Sequence, residues 1–463
     1  MKYFVLLIAL MAHLQTGWAQ NAWYHILSSN SRQMLIDIDL PEATQNTVET
    51  PLGKSITLTM PGATPLLFAG CPDLPKFSLP ILIPNQSQSL LTVESATYTD
   101  QHVMQVAPSK GQISRAQSPS SIAYTYGPAY TENQFFPSQV AALNTPYVLR
   151  DFRGQTLRIQ PLQYNPITKL LRQYTHLRIR IDFTGTDSIN VLSSTQYPDH
   201  VVEEFDGIYA NHFINYKTLN TRYSPKTEVG SMLIVSPAKY LNEITPFRDW
   251  KEQKGIPTFL VNLDTLSGGV TENTISNLAA WYYQNKEIAY MVFVGDAADI
   301  PAKMNGVAGP SDIGYAYVTG NDHYPEFIVG RFSGDTMLDI RTQVLRSLNY
   351  EKTPNTSSAW MRTQIGIGSE EGTGDDNQYD WEHIHDIVDS NKNQYKYLTN
   401  VELYDGINPQ AGTDQAGNPN ITSLIDGINN GASLINYCGH GSPIGLVTTG
   451  FESSHVPYLS NVN

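Results

Sequence analysis

The stretch SMLIVSPAKYLNEITPFRDWKEQKGIPTFLVNL, Ser231–Leu263, decides the fold class. Its ends, SMLIVSP and TFLVNL, are continuous apolar runs of strand length, and the segment between them, LNEITPFRDWKEQKG, is amphipathic. Strands that are apolar without alternation are covered on both faces, and a helix joining two of them makes a parallel βαβ unit. The same grammar continues in AYMVFVGD from Ala289, TQIGIGSE from Thr363 and ASLINYCGH from Ala432, with ENTISNLAAWYYQNKE as a further amphipathic connection. The expectation is an α/β domain with a mainly parallel, doubly covered sheet. In such sheets ligands sit at the carboxyl ends of the strands, so the residues just after each apolar run are the ones to test for chemistry.

Upstream the pattern differs. From about Trp23 to Phe213, short alternating segments such as SITLTM, SLLTVES, LRIQPL and HLRIRIDF are separated by Pro, Gly, Asn and Ser clusters. This predicts an all-β N-terminal domain with a sandwich or barrel core. NYKTLNTRYSPKTEVG, Asn215–Gly230, lacks periodicity and reads as a linker. The opening MKYFVLLIALMAHLQTGWAQ carries Lys2, an apolar core from Phe4 to Met11, and small residues Gly17 and Ala19. It reads as a cleaved secretory signal, too short for the ~20 residues of a membrane span. No later run is long and apolar enough to cross a bilayer.

With 463 residues and 41% hydrophobic content, the chain can bury cores for two or three domains. A formal net charge of -14 argues against nucleic acid as a partner, because nothing would neutralise its phosphates. Cys71 and Cys438 are the only cysteines, so no disulfide framework is expected despite the exported context.

Among the strand ends, Gly439-His440-Gly441 is the strongest candidate. Flanking glycines allow a sharp turn, close approach of a substrate and a free N–H facing a developing oxyanion, and a histidine there can act as general base or acid. A turn histidine with packing glycines is the other reading. Cys438 reads as a small core hydrophobe rather than a nucleophile, since a thiol inside a strand is normally inert. The segment GIGSEEGTGDDNQYDWEH, Gly366–His383, follows a strand and precedes a helix, but its Gly366-x-Gly368-x-x-x-Gly372 spacing is one residue too long for a dinucleotide fingerprint. Glu370 and Glu371 would also repel a pyrophosphate. They suit an imidazolium or a cationic side chain, or are simply a solvated acidic loop. His383 and His385 diverge by about 200° on a helix, which does not support zinc. TGNDHYPE, Thr319–Glu326, offers Asp322 and Glu326 with carbonyls between them, an oxygen-rich set compatible with calcium.

Several long phrases carry a resemblance: INYCGHGS, SDIGYAYVTGNDHYPEFIVGRFS, APSKGQISR, TENQFFPSQVAAL, YVLRDFRGQ and LQYNPITK. In order, from about Val103 to the last residue, they are similar to the gingipains, in particular the arginine-specific type. These are secreted caspase-like cysteine endopeptidases made as proenzymes. The resemblance implies a signal peptide over 1–19, a β-rich inhibitory pro-domain over 20–222 and the first part of the peptidase domain over 223–463. It implies His440 as catalytic histidine, Gly441 as an oxyanion-hole donor and Glu371, with Glu370 as rival, as the carboxylate supporting the imidazole. The nucleophilic cysteine is expected roughly thirty residues beyond His440, past Asn463, so the sequence reads as a fragment of a longer precursor. Asp380 matches the residue that pairs with a substrate arginine, Arg222-Tyr223 the pro-domain junction, and Arg115 a pro-domain loop residue that occupies the Asp380 pocket or is an ordinary surface arginine. Asp322, Glu326 and the Thr319 and Tyr324 carbonyls match a calcium site, to which Asp296 is a further contributor. No organic cofactor is implied, and the implied partners are arginine-containing protein substrates and the chain's own pro-domain. The alternatives are a sortase-like surface peptidase of a secretion system, or a surface pseudo-peptidase without the thiol.

Overall fold

The computed structural model describes residues 23–113, 121–194, 197–218, 226–304, 309–354, 356, 359–371, 378–442 and 444–460. The first half is a sandwich of two antiparallel sheets. In one, Tyr24–Ser29, Gln33–Asp39, Leu170–Thr184 and Leu162–Asn165 lie in that order, with Gln88–His102 also paired to the long Leu170–Thr184 strand. The other is built on Pro75–Ile83 and Phe152–Ile159. Alternation drives the packing: Met34, Ile36 and Ile38 sit opposite Ile181, Ile179 and Leu177, and all six are buried. Phe77 and Leu79 pair with Ile159 and Leu157 across the second sheet and join the same core. Inward residues of both sheets thus meet in one apolar layer.

The region read as all-β closes with a helix, Glu203–His212. Its Phe205 and Tyr209 are buried in a cluster that also takes in Tyr147, Phe152 and Ala289, so this helix seals the seam with the second half. The stretch read as a linker is partly structured too, since Lys226–Glu228 pairs in parallel with His200–Val202.

The second half is α/β, as expected, but its strands form two parallel sheets rather than one. The first runs in the order Thr258–Asn262, Ser231–Ser236, Ile288–Val294, Ile328–Phe332. Helices Leu241–Gln253 and Met337–Lys352 cover one face through Ile244, Phe247, Ile340 and Val344, and Glu272–Lys286 covers the other through Ile275 and Ala279. Threonine capping boxes at Thr271 and Thr336 start two of these helices. The second sheet has Thr363–Gly368 in the middle, flanked by Thr399–Tyr404 and Leu434–Cys438. Ile384 and Val388 of helix Asp380–Tyr395 pack on one face, and Leu424 of helix Ile421–Asn429 on the other. Leu434–Cys438, which reads as buried in the sequence, is an edge strand among the described residues, with Ile435 44% exposed. Among those residues no helix is long and apolar enough to cross a membrane.

Candidate active site

Strand Thr363–Gly368 runs parallel to Leu434–Cys438 with Gly368 opposite Cys438, so the chain leaves both strands at the same level. The Ser369 N–H still donates to the Cys438 carbonyl at 3.0 Å. Beyond that point the two segments bring Glu371 Oε2 within 2.7 Å of His440 Nε2. The approach is a close contact rather than an aligned hydrogen bond, since that oxygen has no hydrogen-bond partner among the described residues. Glu370, its sequence rival, is exposed. The His440 ring is about half exposed, open to a reactant, at 47%.

The histidine is held from behind. Its main-chain carbonyl accepts from Val447 N–H at 2.9 Å and from the Tyr437 hydroxyl. The Tyr437 hydroxyl also lies 3.3 Å from Thr448 Oγ1. Gly439 lets this cradle close, because a Cβ there would meet Thr448 Oγ1 at 2.7 Å and the Tyr437 hydroxyl at 2.9 Å. Gly441 sits in a small hairpin opposite Leu446. The Val447 N–H to His440 carbonyl bond makes 440 and 447 the hydrogen-bonded pair, so Gly441 and Leu446 form the non-bonded pair and the Gly441 N–H faces away from its partner strand.

Asp380 opens the next helix beside this site and is buried, 1% exposed. The Ser369 hydroxyl donates to its Oδ2 at 2.7 Å, and its own N–H donates to the Glu371 carbonyl at 3.3 Å. First-turn placement favours an anion. The glycines of TQIGIG are explained by this helix: a Cβ on Gly368 would meet Trp381 Cα at 2.4 Å, and one on Gly366 would meet Ile384 and Val388 at 2.8 Å. They permit close helix–sheet contact. On the same helix, His385 Nδ1 lies 2.9 Å from Glu402 Oε2.

Sequence reading missed Asp405, which follows strand Thr399–Tyr404. Burial pushes its carboxyl up to about 6, helped by the charges of Glu370, Glu371 and Asp414. Its N–H donates to the Gly368 carbonyl at 3.0 Å, which fixes it to the same strand end. Cys438 packs toward Ile384, Val388 and Tyr404, whereas its neighbour Tyr437 packs toward the opposite cluster of Ile365, Ile367 and Leu424.

In the Thr319–Glu326 loop, Glu326 is fully buried. Its Oε2 accepts Val318 N–H at 2.6 Å and Thr319 N–H at 3.1 Å, while Oε1 has no hydrogen-bond partner among the described residues. Burial, with the Asp322 charge adding to it, raises the carboxyl to about 7. An orphaned oxygen on a buried acid fits an oxygen-ligated cation. Asp322 accepts Val148 N–H at 2.8 Å and Tyr324 N–H at 3.1 Å. Asp296 does not join this set. The parallel pairing of Tyr290 with Ile328 puts Glu326 at the amino ends of the two strands, whereas Asp296 follows the carboxyl end, where it accepts from Ala297 N–H and Ser333. The expected signal peptide, Arg115, Arg222 and Tyr223 lie outside the described residues.

Two family models match the chain: Peptidase family C25 over residues 226–463 and Propeptide_C25 over residues 15–220. Gingipain R2 of Porphyromonas gingivalis is 33% identical over 452 residues, covering 96% of this chain and 59% of that protein. Gingipain R1 of the same organism is 32% identical over 458 residues, covering 97% and 44%. The chain therefore spans about half the length of these curated relatives. A solved structure described as the Arg specific cysteine proteinase gingipain R is 33% identical, covers 50% of this chain and 52% of that one, and aligns with a TM-score of 0.45.

Proposed function

The chain belongs to peptidase family C25, and from that premise we propose that it is the pro-domain and leading peptidase segment of an exported cysteine endopeptidase that cleaves after arginine. The observation that carries this reading is the His440–Glu371 contact at 2.7 Å at the carboxyl ends of two neighbouring parallel strands, with Asp380 buried alongside.

In this reading a cysteine thiolate, supplied from beyond residue 463, attacks the scissile carbonyl. His440 takes up the thiol proton and returns it to the leaving amine. Glu371 orients the imidazole. The outward Gly441 N–H donates to the oxyanion. The Asp380 carboxylate meets the substrate side chain, and the planar fork of a guanidinium matches it better than the point charge of a lysine. Thr319, Asp322, Tyr324 and Glu326 would hold a calcium ion, whose charge would compensate the two carboxylates. Arg222-Tyr223 is the site at which the N-terminal domain is cut away, and Arg115 is the arginine that domain offers to the Asp380 pocket. The agreement of the propeptide match over residues 15–220 with the linker composition of Asn215–Gly230 supports that boundary.

The test is His440→Ala in the full-length gene product. Hydrolysis of arginyl substrates should fall by about 10²–10⁴-fold. Retained turnover would remove the proposed acid–base group.

A further inference from the structure

Arg150 sits at the turn between strands Tyr147–Leu149 and Phe152–Ile159 of the N-terminal domain, with φ at +49°, a conformation side-chain-bearing residues seldom adopt. Glycine or asparagine would be the ordinary occupant. The arginine is nonetheless 3% exposed, because its guanidinium enters the second domain. Nη1 donates to the Ile288 carbonyl at 2.8 Å and to the Glu326 carbonyl, and Nη2 reaches the Glu287 carbonyl at 3.5 Å. Glu287 terminates helix Glu272–Lys286 in a left-handed conformation. The last carbonyls of a helix lack intrahelical donors and carry the negative end of its dipole. A cation from the other domain thus sits against the carbonyls just beyond this helix, on the side of its negative end.

The ring of Tyr283, on that helix, stacks on the guanidinium at 5.3 Å, and its hydroxyl donates to the Arg150 carbonyl at 3.4 Å. Around the arginine, Val148 N–H donates to Asp322, the Asn190 side chain accepts from Asn321 N–H at 2.7 Å, and His200 lies 3.1 Å from Glu287. These contacts gather at the amino ends of the first sheet, where Ser231 pairs with Ile288. His440 follows a carboxyl strand end in the other sheet.

We propose that Arg150 is the pin that holds the N-terminal β domain on the peptidase domain, gripping the Ile288, Glu326 and Glu287 carbonyls just past the end of helix Glu272–Lys286 and at the amino ends of the first sheet. Its acceptors are carbonyls, which water can resolvate, so docking is reversible and leaves no stranded charge on the peptidase side. Severing the 219–225 connector then does not by itself release the β domain. The inference deepens the reading of that domain as an inhibitor and rests on it for its biological role. Its test measures association alone, so it can fail while arginyl hydrolysis stands, and the reverse.

The experiment uses the whole chain with residues 220–224 replaced by the recognition sequence of an orthogonal protease. After cutting, the two pieces of the otherwise unaltered protein should co-elute in size exclusion down to low concentration. In cut Arg150→Met they should separate, with Kd raised about 100-fold, the scale for truncating a buried hydrogen-bonded charge at an interface. Arg150→Lys should fall between, since one point charge replaces the fork. Hydrogen exchange of Gln33–Asp39 and Ser231–Ser236 in uncut Arg150→Met checks that both domains fold. Should that variant not fold, Tyr283→Leu, which strips the stacking face from the other side, should separate the pieces instead. Separation of the unaltered protein on cutting, or an unchanged Kd in the folded variant, overturns the proposal.

Discussion

Glu371 Oε2 and His440 Nε2 lie 2.7 Å apart although they are separated by two strands and two helices along the chain. Parallel pairing of Gly368 with Cys438 creates this meeting, because both segments leave the sheet at one level and in one direction. A carboxylate there fixes the ring without itself meeting the substrate. Glu371→Gln in the full-length enzyme should lower kcat at least about tenfold while changing KM little. An unchanged kcat would show that the carboxylate does not act on His440.

Asp380 should govern selectivity. Its Oδ2 accepts the Ser369 hydroxyl at 2.7 Å, and the residue is buried. Asp380→Asn keeps the shape and the Ser369 contact but removes the charge that a guanidinium would meet. The ratio of kcat/KM for arginyl over lysyl substrates should collapse by about two orders of magnitude, as for a lost charge-assisted pair. The melting temperature should move far less. A retained ratio with lowered stability would assign Asp380 to the helix start alone.

Tyr437 and Cys438 are neighbours with opposite surroundings. Tyr437 gives its hydroxyl to the His440 carbonyl, and Cys438 packs beside Ile384, Val388 and Tyr404. Tyr437→Phe should loosen the histidine loop and lower kcat severalfold with KM nearly constant. Cys438→Ser should leave turnover largely intact. Complete loss in Cys438→Ser would mean that this thiol takes part in the chemistry.

These roles differ in how far the sequence discloses them. The runs SMLIVS, TQIGIG and SLINYC mark strands because unbroken apolar text needs cover on both faces, and Gly-His-Gly stands out as a polar interruption at a strand end. What periodicity does not carry is pairing. IVGRF and TNVELY, weakened by Gly330, Arg331, Asn400 and Glu402, are strands only because neighbours hydrogen-bond them. The division into two sheets follows from those partners, as does the edge position of Leu434–Cys438. Tyr437 reads as one more apolar residue until its hydroxyl is seen under His440. Asp296 is a calcium ligand only by the resemblance, and strand direction puts it at the opposite end of the sheet from Glu326.

Asp405 supplies the pH dependence. Burial, and then the charges of Glu370, Glu371 and Asp414, raise its carboxyl from 3.8 to about 6. The folded state therefore holds a proton that the unfolded chain has already released between these values. Stability contributed by the neutral acid is full below the lower value and declines as pH climbs through the upper one. Melting temperature measured from pH 4 to pH 7 should accordingly fall with a component centred in that window, and Asp405→Asn, neutral throughout, should flatten it. Because Glu371 is among the charges raising Asp405, the double variant with Glu371→Gln should show less than the sum of the two single effects. Parallel curves for Asp405→Asn and the unaltered protein would exclude Asp405 as the titrating group at this strand end.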